Sequence, residues 1–260
     1  MEYVWLSICV KLDYLTYINL LKVFNNVKDI YVNTKDKDKF LKILRLNCIH
    51  ISYNVFYNLV DLELKVKSIE LFKSLSESDI KIINIHSKYY PKQLINIFNP
   101  PLVIFASGNL ELLKNKMVYT YSSNNFSITY KKKYYEFYES MNENNISIVS
   151  DVLTEYSSIV YLPYIKKMSR EDILVISDKL EENSSINYEY ITGMSDCLFI
   201  PEASYNIKAA MIVDLILEQG KDIFVIPGSI YNKETYFSNY LIKDGAICIT
   251  SKTDLLQYFK

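Results

Sequence analysis

From residue 80 onward, apolar runs of strand length recur at 80–85, 102–106, 118–121, 146–149, 173–176, 197–200, 223–226 and 246–249. Between them lie segments with helical spacing, at about 127–143, 155–168, 206–219, 235–243 and 252–259. Strands buried on both faces read as unbroken apolar runs, and helices of this length are the usual crossovers between parallel neighbours. The pattern predicts an α/β domain on a parallel sheet. Before residue 80 the period is helical throughout, as in Leu15, Ile18 and Leu21 or Phe40, Ile43 and Leu44, with polar breaks at Asn25-Asn26 and over 33–39. A helix at about 63–73 leads into Ser74-Leu75-Ser76-Glu77-Ser78-Asp79. The expected organisation is a small helical domain, 1–78, followed by the α/β domain, 79–260.

In an open parallel sheet, ligands gather beyond the carboxyl ends of the strands, where helix N-termini offer unpaired amides. The strand exits are Ser122-Ser123-Asn124, Ser150-Asp151, Ser177-Asp178, Pro201-Glu202-Ala203 and Pro227-Gly228-Ser229. Gly220 follows a helical segment, at the usual C′ position, and Gly245 fits a turn between helix and strand.

Composition narrows the chemistry. Half of the 260 residues are hydrophobic and 23% are charged, enough for a packed core and against global disorder. No apolar run reaches the roughly 18 residues of a membrane span. Met1-Glu2-Tyr3-Val4-Trp5 lacks the basic start of an export signal, so a cytoplasmic protein is expected. Cys9, Cys48, Cys197 and Cys248 have no CxxC spacing, against a zinc site or disulfide framework. His50 and His86 stand alone, and no nucleophile–base–orienter set assembles around them. The formal net charge is −1, and only Arg45 and Arg170 are arginines. Arginine supplies the planar fork that reads guanine edges, so sequence-specific DNA readout is not expected. The 24 tyrosines read as compositional bias, with base stacking as the alternative.

Three stretches carry a resemblance. Tyr90-Pro91-Lys92-Gln93-Leu94 through Pro100-Pro101 to Gly108-Asn109-Leu110 is similar to a "YP-x-x-L … PP … GN" entrance. Gly193-Met194-Ser195-Asp196, followed by Glu202-Ala203, is similar to "AG-L-S-D … VVEA". Leu217-Glu218-Gln219-Gly220 through Pro227-Gly228-Ser229-Ile230 to Asn239-Tyr240-Leu241-Ile242-Lys243-Asp244-Gly245-Ala246 is similar to "L-E-Q-G … VPGSI … N-x-L-I-x-x-G-A". Together they resemble the DNA-processing protein A family (DprA, also called Smf) over most of 80–260. The resemblance implies an extended Rossmann-like sheet flanked by helices and preceded by a small helical domain. It implies a single-stranded DNA-binding protein that protects incoming DNA and assists RecA loading in natural transformation and recombination. Its implied partners are single-stranded DNA, a RecA-type recombinase and a second copy in a homodimer, with no cofactor, metal, membrane or catalytic reaction. The family's C-terminal winged-helix module is expected to be absent, because the sequence stops at Lys260.

The departures concern anion-binding residues. Ser122-Ser123-Asn124 stands where the family has Gly-Ser-Arg, and Ser150-Asp151-Val152-Leu153-Thr154 replaces a Gly- and Arg-containing stretch. Asn187-Tyr188-Glu189 replaces "R-N-R", Asn206-Ile207-Lys208-Ala209 replaces "R-S-G-S", and a block between Ile176 and Tyr190 is shortened. Phosphate-cradling glycines and neutralising arginines are thus lost. The expected DNA contacts are Ser122, Ser123, Lys131, Lys132, Lys133, Ser150, Glu202, Lys208, Gly228, Ser229, Asn239 and Gly245. Each has a structural alternative: a plain turn for Gly228 and Gly245, an amide-bonding carboxylate for Glu202, and a solvated helix face for the lysine run. That run is interleaved with Tyr134, Tyr135, Phe137 and Tyr138, a pattern that suits phosphate contact with stacking. Two other functions compete. One is a nucleotide-processing Rossmann-like enzyme of the phosphoribohydrolase kind, whose "PGG-x-GT-x-x-E" motif survives here only as Pro227-Gly228. The other is an interaction protein that has lost DNA binding.

Overall fold

The computed structural model describes residues 1–122, 131–167, 172–182 and 184–260, and of residues 131 and 132 the backbone alone. The chain divides into two compact units, residues 1–88 with 98–106, and residues 89–97 with 107–260.

In the first unit, α1 (Glu2–Val4) runs into a π-helical turn, Trp5–Val10, and α2 (Tyr14–Leu21), α3 (Val27–Asn33), α4 (Lys37–Leu46), α5 (Tyr53–Val60) and α6 (Leu62–Glu77) follow. Asp13, Asn26, Asp36, Ser52 and Asp61 each accept a first-turn amide, which is why the helices start where they do. Their inner faces bury Trp5, Leu6, Tyr17, Leu20, Ile30, Phe40 and Leu59. A lysine is buried with them. Lys65 Nζ donates to Thr34 Oγ1 at 2.8 Å and to the Tyr31 carbonyl at 3.3 Å, and it lies over the rings of Trp5 and Tyr31. Burial first, and the like charge of Lys35 second, lower its pKa to about 8. The unit also holds β1 (Lys81–Asn84), paired with residues 103–106 of β2 (Val103–Gly108). This pairing is antiparallel, which corrects the expectation of a parallel strand at 80–85. The link between the two strands carries a single 3-10 turn, Lys92–Asn96, in place of the crossover helix that parallel neighbours need.

The second unit is the Rossmann-like part. Its elements are β3 (Lys116–Thr120), α7 (Lys131–Glu143), β4 (Ile146–Ser150), β5 (Ile159–Tyr161), β6 (Leu174–Ser177), α8 (Tyr188–Met194), β7 (Cys197–Ile200), α9 (Ile207–Glu218), β8 (Ile223–Val225), α10 (Tyr236–Lys243), β9 (Ile247–Cys248) and α11 (Lys252–Gln257). The strand order is β6-β5-β4-β3-β7-β8-β9, with every neighbouring pair parallel. Growth of the sheet reverses at β3: β4 to β6 extend to one side and β7 to β9 to the other. Such a reversal opens a crevice beyond the carboxyl ends of the strands. Helix α7 seals one face by packing Phe137 on Phe199, with ring centroids 5.5 Å apart, beside Tyr134, Tyr138 and Met141. Each such buried side chain contributes about 1.5–3 kcal/mol.

Two elements differ from expectation. The helix expected over 155–168 is strand β5, because Ile159, Val160 and Tyr161 suit a doubly buried strand and the Ser158 amide bonds the Ile148 carbonyl at 3.0 Å. Helix α8 falls where no helix was expected. Its Thr192 and Gly193 have weak helix propensity, and tertiary contacts compensate. Lys221 Nζ donates to the Thr192 and Gly193 carbonyls at 2.5 and 2.8 Å, closing the helix at its C-terminal end. The Gly193-Met194-Ser195-Asp196 motif is also structural: Asp196 accepts from Gln93 Nε2 and from the Met117 amide, both at 2.7 Å.

Two outcomes are expected from this packing. Gly108 has φ of +114°, and a Cβ there would lie 2.0 Å from the Ile173 carbonyl oxygen, a backbone atom that cannot step aside. Gly108→Ala should therefore cost about 4 kcal/mol or more, or abolish folding, in urea denaturation. Lys65→Met should gain about 1 kcal/mol at pH 7 by removing a buried charge. Between about pH 8 and 10 the unfolded chain keeps a Lys65 proton that the folded chain releases, so the parent gains stability as pH rises. The advantage of the methionine variant should shrink across that window; an advantage constant from pH 7 to 9.5 would contradict the lowered pKa.

Candidate functional site

The crevice beside β3 is lined by Tyr121 at the β3 exit and by the loops that leave β4, β7 and β8. Beyond β3, the Tyr121 amide continues the ladder by donating to the Phe199 carbonyl at 3.1 Å. The Tyr121 hydroxyl donates to Asn206 Oδ1 at 3.2 Å, and Asn206 caps α9 by accepting from the Ala209 amide at 2.8 Å. In the first turn of α9, Lys208 reaches back across the rings of Tyr121 and Tyr188, its Nζ 5.4 and 5.2 Å from their centroids, to the carboxylate of Asp151. Asp151 Oδ2 also accepts from the Tyr188 hydroxyl at 3.2 Å. Burial opposes the Lys208 charge, but the hydrogen bond and charge of Asp151, with help from Tyr188, outweigh it and raise the pKa. The buried Tyr119 hydroxyl has no hydrogen-bond partner among the described residues, and burial first and the Asp151 charge second hold it neutral.

A second cluster lies beyond β7 and β8. Glu202, buried, accepts from the Tyr134 hydroxyl and from Asn232 Nδ2, both at 3.3 Å. Asn239 Nδ2 donates to the Gly228 carbonyl and Asn239 Oδ1 accepts from the Gly228 amide, each at 3.0 Å. A Cβ on Gly228 would fall 2.3 Å from Thr235 Cγ2, so the close turn requires glycine. The neighbouring residue of α10, Ser238, accepts from the Ala203 amide at 2.9 Å through Oγ. Side chains of α10 thus fix both loops. Ser229 is exposed, its Oγ accepting from the Tyr231 amide at 3.3 Å.

The expected contacts divide accordingly. Ser122, half-buried, follows β3 directly, while Ser123 lies outside the described residues. Ser150 is turned into its own loop, donating to the Val152 carbonyl at 2.6 Å and sharing a hydrogen bond with Ser157. Glu202, Lys208, Gly228, Ser229 and Asn239 come to the crevice; of these, Lys208 is ion-paired and Asn239 is spent on the backbone. Gly245, with φ of +111°, leads into β9 at the amino-terminal end of the parallel strands, opposite the crevice. Lys131 and Lys132 open α7, their side chains lying outside the described residues, and Lys133 is exposed. The aromatic half of that run is corrected: Tyr134, Phe137 and Tyr138 are buried against the sheet and Tyr135 packs on Tyr156, so none is an open stacking face. The open rings are others. Tyr231, 93% exposed, and Tyr205 rise from the loops after β8 and β7, and Tyr236 opens α10. Within a tyrosine-rich sequence nothing set these three apart except their place near Pro201 and Pro227. Among the described residues, no group of three His, Cys, Asp or Glu side chains is placed to hold a metal ion.

Known proteins share this architecture. The family model described as DNA recombination-mediator protein A matches residues 81–152 and 161–260. Its gap, residues 153–160, covers most of the β4–β5 connection and the first two residues of β5. The DNA processing protein DprA of Streptococcus pneumoniae is 25% identical over 202 residues, 66% of this chain and 71% of that protein. Protein Smf of Escherichia coli is 33% identical over 67 residues, 26% of this chain and 18% of its own length. The solved structure of the pneumococcal protein superposes with a TM-score of 0.61 at 20% identity, covering 88% of this chain and 95% of that one. DNA processing protein A from Helicobacter pylori, described for its unique single-stranded DNA binding mode, gives 0.60 at 17% identity, covering 70% and 97%. With the family model spanning well over half of its residues, this chain belongs to the DNA recombination-mediator protein A family.

Proposed function

We propose that this chain binds single-stranded DNA, without sequence preference, along the crevice at the carboxyl ends of β3, β4, β7 and β8. The observation that carries the reading is the reversal of strand order at β3, with the open rings of Tyr205, Tyr231 and Tyr236 and the exposed Ser229 beyond β7 and β8. Rings offer every base a stacking face regardless of its identity. Lysines act as point charges and discriminate little. In this reading Ser122, Ser123, Lys131, Lys132, Lys133, Ser229 and backbone amides meet the phosphates. Glu202, Gly228 and Asn239 shape the loops that carry them. The protein acts as a binding protein in the cytoplasm, as a homodimer that protects incoming strands and passes them to a RecA-type recombinase in recombination and transformation. No helix among the described residues is long and apolar enough to cross a membrane.

A second reading, an interaction protein without DNA affinity, is favoured by one observation: the Lys208 charge is already neutralised by Asp151.

Fluorescence anisotropy with an oligo-dT strand, at several salt concentrations, separates the two. The expected result is modest, micromolar binding that weakens as salt rises, log K falling by about 0.7 per phosphate contact per decade. Tyr231→Ala should lose about fivefold or more, at every salt concentration, through lost stacking. Replacing Lys131, Lys132 and Lys133 together by alanine should flatten the salt slope. No binding at micromolar protein in low salt, with capture of a RecA-type recombinase retained, would favour the second reading. Unchanged affinity in both folded variants would remove this surface from consideration.

A further inference from the structure

The pair at the β4 exit is built unequally. The Asp151 side chain is 5% exposed, whereas that of Lys208 is 40% exposed. The carboxylate is therefore fixed inside the crevice, and the ammonium that would greet an incoming anion is turned inward onto it. Tyr188 donates to the same oxygen, and the Lys208 ammonium lies over the rings of Tyr121 and Tyr188. Withdrawing Lys208 toward a ligand would leave a buried carboxylate with the Tyr188 hydroxyl alone, an arrangement that is strongly disfavoured. A phosphate approaching without displacing Lys208 meets a site whose charge is already cancelled.

We propose that Asp151 is an internal substitute for a phosphate group, occupying Lys208 and so excluding it from contact with single-stranded DNA. The proposal rests on the DNA-binding reading above and adds to it a residue that sets affinity from the inside. Lys208 then contributes nothing to the counterions released on binding, although it lies at the strand exits where a cation serves an anionic ligand best. The charge of Asp151, rather than its shape, is the determinant.

Asp151→Asn tests this directly, since the amide keeps an acceptor for Lys208 and Tyr188 while removing the charge. The oligo-dT titration should show affinity rising about three- to tenfold at low salt, and a salt slope steeper by about 0.7. Adding Lys208→Met to Asp151→Asn should return both quantities to the parent's values. A gain that survives Lys208→Met, or no gain in Asp151→Asn whether or not the parent binds, overturns the proposal. A parent that binds no DNA beside an Asp151→Asn variant that does would uphold it while removing the functional reading for the parent. Equal binding by both would do the reverse. If Asp151→Asn fails to fold, amine labelling of the parent read by peptide mass spectrometry replaces it. Saturating DNA that protects exposed lysines should leave the labelling of Lys208 unchanged, and protection of Lys208 by DNA would overturn the proposal.

Discussion

The candidate site depends on one constraint, the burial of β3 between two parallel neighbours, β4 and β7, so that the sheet must grow outward from it in both directions. Val118 and Tyr119 are fully buried, and both neighbouring ladders run in parallel register with them. A strand held this way cannot slip by a residue without drawing its exposed end, Lys116, toward the core or breaking both ladders. The chain therefore leaves β3, β4 and β7 at fixed points, and the crevice there is a product of strand order rather than of the loop sequences. This is how the fold persists where Ser122-Ser123-Asn124 and Ser150-Asp151 stand in place of the glycines and arginines of the motifs that these exits resemble.

The electrostatics of the crevice follow from that exchange. The sequence has 29 basic against 30 acidic residues, and its cations are almost all lysines. Lysine carries no planar fork, so any anion held here is held by proximity and by hydroxyl and amide donors. At the β4 exit even this is withheld, because the carboxylate nearest the lysine belongs to the same chain. Stacking on open tyrosines is insensitive to charge, so such neutralisation leaves it untouched.

Most of the sheet is legible in the sequence because strands buried on both faces leave continuous apolar runs. Cys197–Ile200 and the segments that become β4 and β6 stand out for this reason. Strand β5 does not. Its three residues are too short a run to separate from a helical stretch, and the ladder with β4 and β6 decides its state. The orientation of β1 is hidden as well, since an apolar run carries no direction and only the missing crossover helix betrays it. Within the site, the turn at Gly228 and the place of Asn239 are readable from motif residues. The pairing of Asp151 with Lys208 is not, because it joins residues 57 positions apart through side chains alone. Nor are the buried rings of α7 separable by composition from the open ones at Tyr205 and Tyr231.

The hold of α10 on two strand-exit loops has a mechanical consequence. Ser238 and Asn239 are consecutive residues, yet they bond different loops, at Ala203 and at Gly228. Consecutive residues on a helix point about 100° apart, so the helix grips like a caliper whose two jaws are set by its rotation. A single-residue insertion in its first turn would rotate both jaws off their loops at once. The edges of the crevice would then be free to drift apart, with every strand of the sheet still in register.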